Sequence, residues 1–98
     1  MIKAHNLTSP KGNKVPNQIV ITTEDKKIFQ SYGTTIAIRD RVAFNPDGLA
    51  KNANVLLDRY YWNHSRTTSK YRSIFLNETT KETEAKICDG TYTLTNLN

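Results

Sequence analysis

The sequence has one cysteine, Cys88, and two histidines, His5 and His64. A lone cysteine excludes an internal disulfide, and the three side chains match no metal-ligand spacing. No apolar run approaches the roughly 20 residues of a membrane-crossing helix, and the N-terminus lacks a signal-peptide core. The sequence therefore reads as soluble and cytoplasmic. The phosphate-cradling, dinucleotide-binding, zinc-protease and nucleophile-elbow motifs are all missing. Cys88 with His64 or His5 as base is the one nucleophile to weigh, because a thiol reacts only where its surroundings activate it. It falls near the end of an expected helix, the wrong end to activate it, and reads better as a buried small hydrophobe. Glu24 and Asp25 fall in an expected hairpin turn, where acids are ordinarily solvated. Neither an enzyme, a cofactor, a metal site nor a small-molecule substrate is expected.

Acids are also missing from two stretches. Residues 1–20 carry Lys3, Lys11 and Lys14 with no Asp or Glu, and residues 59–72 carry Arg59, Arg66, Lys70 and Arg72 with none either. The net charge is +5. Such blocks attract an acidic protein surface or nucleic acid, or simply keep a small protein in solution. The sequons at Asn6, Asn63 and Asn77 read as chance in an Asn/Thr-rich chain without a secretory signal.

What is present is the pattern of one α+β domain over 1–98, the size of a single unit. Residues 1–17 hold Ser9-Pro10, Lys11-Gly12 and Val15-Pro16-Asn17, and read as an extended, turn-rich lead-in. Strands are expected at Gln18–Thr23, Lys27–Tyr32 and Thr34–Arg39, the last with Ile36 and Ile38 on one face. Asn45-Pro46-Asp47-Gly48 reads as a turn and Val55–Trp62 as a further strand. Ser65–Leu76 places Thr67, Tyr71, Ile74 and Phe75 on one face of a helix. Thr79 with Glu82 forms a capping box for a second helix, stopped at Asp89-Gly90. Thr91–Leu97 alternates as a closing strand. A small antiparallel sheet packed against two short helices follows.

The most informative segment is 59–72, where Arg59, Arg66, Lys70 and Arg72 interleave with Tyr60, Tyr61, Trp62 and Tyr71. Cations there pair with phosphates or carboxylates, and aromatic faces stack on bases or anchor a protein interface. The bland alternative has Tyr60, Trp62 and Tyr71 filling the core beneath a solvated basic surface. Arg59, Tyr61, His64, Arg66, Lys70 and Arg72 are the candidate partner-binding residues, with the cations forming one patch opposite the packed aromatics.

Several short motifs carry a resemblance. Ala4-His-Asn-Leu7, Asn17-Gln-Ile-Val-Ile-Thr22, Phe29-Gln-Ser-Tyr-Gly-Thr-Thr-Ile-Ala37, Ser65-Arg-Thr-Thr-Ser-Lys-Tyr71 with Phe75-Leu76, and Lys86-Ile-Cys-Asp-Gly-Thr-Tyr92 with Leu97-Asn98 resemble a family of short uncharacterised proteins of bacteriophages and plasmids. Residues 41–58 fall outside that pattern. The resemblance implies a mobile-element accessory protein, and inhibitors of host defence, anti-CRISPR proteins included, are a frequent class among these. Two expectations stay open. The favoured one is a protein-directed inhibitor of a host defence protein such as a CRISPR effector. The other is a nucleic-acid-binding protein that uses 59–72 directly.

Overall fold

The computed structural model describes residues 2–9, 11–40 and 54–98. Its elements run β1 (Lys3–Thr8), β2 (Lys14–Thr22), β3 (Lys26–Ser31), β4 (Thr34–Asp40), β5 (Leu56–Asp58), α1 (Arg66–Leu76), α2 (Thr80–Cys88) and β6 (Thr93–Thr95). The fold is α+β. One six-stranded sheet keeps the strands in sequence order, every pairing antiparallel except β5 with β6. A parallel neighbour cannot be reached by a hairpin, so the chain crosses over between these strands through α1 and α2. The turn expected at Asn45–Gly48 lies outside the described residues.

The register makes two cross-strand rows. Val20, Phe29, Ala37, Leu57 and Leu94 align on one face, and the first four are buried. Ile21, Ile28, Ile38 and Leu56 align on the other, half-buried. Tyr71, Phe75 and Leu76 of α1, with Tyr92 and Val55, complete the core over the first row. Phe29 and Phe75 stack with centroids 5.7 Å apart.

Several expectations change. The lead-in holds all of β1 and the start of β2: Ser9, Lys11 and Gly12 lie in the connection of a β1–β2 hairpin, closed by hydrogen bonds between Ser9 and both Gly12 and Asn13. Pro16 sits inside β2, in the stretch where the β1 register shifts and a ladder N–H can be spared. A second irregularity, between Phe29 and Gln30 opposite β4, breaks the strict alternation there. Ile36 and Ala37 are consequently both buried, while Ile38 is only half-buried.

Strand β5 ends at Asp58 rather than reaching Trp62. The Asp58 carboxylate accepts the backbone N–H groups of Tyr60 and Tyr61, both at 3.1 Å, and folds the chain into turns. Helix α1 presents Thr68, Tyr71, Arg72, Phe75 and Leu76 inward, so the buried stripe differs from the apolar one expected. Thr67 and Ile74 of the expected face are exposed. Tyr60 is 71% exposed and fills no core. Cys88 is exposed, not a buried hydrophobe.

The helix ends follow from local chemistry. Ser65 Oγ accepts the Thr68 N–H of α1, and Asn77 closes that helix in the left-handed conformation. The capping box of Thr79 with Glu82 opens α2, as its spacing requires.

Candidate interaction site

Between the tip of the β3–β4 hairpin and the start of α1 lies a pocket of about 480 Å³. Tyr32 and Thr34 come from the hairpin, Tyr61 and His64 from the loop after β5, Thr67 from α1, and buried Ile36 forms apolar wall. Tyr61 and His64 meet edge to face with centroids 5.5 Å apart. Ser31, Ser65 and Thr68 add hydroxyls to the wall, bonded in a chain. Among the described residues, no carboxylate and no lysine or arginine side chain lines it. Its volume falls within the range of ligand-sized cavities.

The hairpin tip carries a conformational cost. Tyr32 (φ 52°) and Gly33 (φ 78°) both have positive φ, the pattern that matches the twist of a two-residue hairpin turn. Glycine or asparagine takes the first of these positions readily, whereas a bulky side chain there is strained by roughly 1 kcal/mol. Tyr32 is nevertheless kept there, 64% exposed at the pocket rim. Tyr32→Asn should therefore raise the free energy of unfolding by up to about 1 kcal/mol, read as a higher melting temperature. A lower melting temperature would mean that the ring packs usefully on its own chain.

Two buried polar residues fix the loop that supplies Tyr61 and His64. Besides Tyr60 and Tyr61, Asp58 accepts the Leu97 N–H at 2.9 Å and the Asn98 amide at 3.1 Å. Burial pushes its carboxyl upward, but these hydrogen bonds outweigh that and hold it below the usual aspartate range. Its contribution to stability is thus complete above the unfolded value of about 3.9 and is lost as pH falls through the lower folded value. Asp58→Asn should cost about 2 kcal/mol at neutral pH, and its gap from wild type should narrow in acid. Urea unfolding at a series of pH values reads this directly, and a gap constant with pH would contradict it.

Arg72 is the second anchor. Expected among the partner-binding cations, it is 0% exposed. Its guanidinium donates to the Trp62 carbonyl and to Thr80 Oγ1 (2.9 Å), approaches Asn63 Oδ1 (3.4 Å), and lies 5.0 Å from the Trp62 ring centroid. Burial lowers its pKa, and the charge of Glu78 opposes that. Arg72 therefore leaves the proposed patch and instead ties α1 to the 59–65 loop and to the start of α2.

Of the other sequence candidates, Tyr61 and His64 line the pocket, and Arg66 is exposed between the lining residues Ser65 and Thr67. Lys70 is exposed one turn along α1, its ammonium 5.5 Å from the Tyr71 ring centroid. Arg59 is exposed. Among the described residues these three cations pair with no carboxylate; the ion pairs are Lys26–Asp40 and Lys86–Glu78. Tyr32 and Thr67 were missed as site residues. The available signal was Tyr32-Gly33 itself, a bulky residue in a turn position that suits Asn or Gly.

The family model settles membership, since it matches residues 2–91. The chain belongs to DUF8033, a family of unknown function. Comparison with curated proteins and with solved structures returns no match. No described helix is long and apolar enough to cross a membrane, and no three His, Cys, Asp or Glu side chains among the described residues gather as a metal site.

Proposed function

We propose that this member of DUF8033 is a non-enzymatic binding protein of a mobile element, acting in the bacterial cytoplasm as an inhibitor of a host defence protein such as a CRISPR effector. It docks by protein–protein contact through the pocket face. The observation that carries the docking reading is Tyr32, a large aromatic kept in a strained turn position and presented to solvent at the rim of a ready-made pocket. Tyr32 and Tyr61 line the concavity, with exposed Arg66 next in sequence to two lining residues, and tyrosine and arginine are enriched in interface hot spots. The sequence resemblance supports the mobile-element and anti-defence part.

The second reading, direct nucleic-acid binding, is favoured by Arg59, Arg66 and Lys70, which pair with no carboxylate among the described residues and share the 59–72 segment with the exposed rings of Tyr60 and Tyr61. Against it, the row of four cations is broken by the burial of Arg72. Fluorescence anisotropy of the isolated protein with labelled single-stranded and duplex DNA and RNA, across a salt series, separates the two. The protein-directed reading expects little binding. Tight binding that weakens steeply with salt would overturn it, because each phosphate neutralised on duplex DNA contributes a logarithmic slope of about −0.9.

A further inference from the structure

We infer that the pocket receives a single aromatic side chain of the partner protein, flanked by a carboxylate that Arg66 pairs with. This rests on the protein-docking reading above and names the epitope that reading leaves open. The walls favour a ring: Tyr32, Tyr61 and His64 offer faces and edges, and Ile36 offers apolar surface. Aromatic rings prefer such offset and edge-to-face neighbours. The hydroxyls of Thr34 and Thr67 can each donate or accept, which suits a phenol or indole with one polar atom at its edge.

Charge narrows the class. From Arg59 to Asn77 the chain carries no acid, and the hairpin tip from Gln30 to Thr35 carries no charge at all. Arg66, exposed between two lining residues, is therefore the charge nearest in sequence to the wall, and it pairs with no carboxylate among the described residues. A partner that brings a carboxylate beside the ring supplies one. A nucleic-acid strand fits less well, since it brings a phosphate with every base and is held by cations that follow it. Here Arg72 is inside the protein, and the Lys70 ammonium lies near the Tyr71 ring. One ring beside one ion pair matches a protruding loop of an acidic protein surface.

The test is amide-resolved NMR of the full chain titrated with a blocked acidic peptide carrying one central tyrosine. Two comparison ligands are the same peptide with alanine at its centre and a short oligothymidylate. Saturable shifts are expected at Gly33, Tyr61 and Thr67 with the tyrosine peptide. Affinity should fall about tenfold or more with the alanine peptide, and about tenfold in Arg66→Ala. Silence with the tyrosine peptide, or equal shifts with the alanine peptide, would overturn the inference. If the peptide fails while Tyr61→Ala still abolishes capture of the protein partner, protein docking stands and only the epitope is wrong. If oligothymidylate alone moves the same amides, both fall.

Discussion

Arg72→Ala is expected to destabilise the protein by about 3–4 kcal/mol, a large share of the 5–15 kcal/mol that holds a domain of this size. The change removes the donor to the Trp62 carbonyl and to Thr80 Oγ1 and empties the space beneath the Trp62 ring. Each group left buried without its hydrogen bond adds a desolvation penalty. Arg72→Met keeps the volume of the stem without the charge. Burial of a guanidinium, with Nε left without a hydrogen-bond partner, is itself costly, so methionine should recover part of the loss. Had Arg72 been one of the exposed patch cations, its loss would stay within about 0.5 kcal/mol. Chemical denaturation of the two variants distinguishes these outcomes.

Phe75→Ala should cost about 3–5 kcal/mol, because its ring stacks on fully buried Phe29 and has the Arg39 guanidinium 5.1 Å from its centroid. Ile74, its neighbour in sequence, is 43% exposed, and Ile74→Ala should cost under about 1 kcal/mol. The pair of melting temperatures reads the orientation of α1. Similar losses at both positions would mean that the helix sits in the rotation the apolar residues alone suggest, with Ile74 inward.

That rotation marks where sequence reading succeeds and where it stops. The β-branched run at 19–23 located the second half of β2, the polar turn after it located β3, the Ile36/Ile38 spacing located β4, and Thr79 with Glu82 located the start of α2, because in each case the signal is local. The buried stripe of α1 was read one step off, since two of its members are polar. Thr68 is buried with its hydroxyl 3.0 Å from Ser31 Oγ, and Arg72 is buried on the Trp62 ring. Hydropathy ranks both as surface residues, and the groups that bury them, Ser31 and Trp62, lie outside the helix. The end of β5 depended on Asp58 accepting two N–H groups that follow it, which an apolar run does not announce. At the candidate site, Tyr61, His64 and Arg66 were legible as an aromatic and basic cluster. Tyr32 was not, because only the hairpin brings it from another element to the same pocket.

The account ties one strained tyrosine to one docking face, so the most direct measurement is capture of host-cell proteins on immobilised Tyr32→Asn beside wild type. The turn should be relieved by asparagine and the fold left intact, which removes misfolding as a reason for lost binding. The account predicts that the protein retained by wild type is absent from the variant. Equal recovery of the same partner on both would contradict it, and would place the docking face away from the hairpin tip.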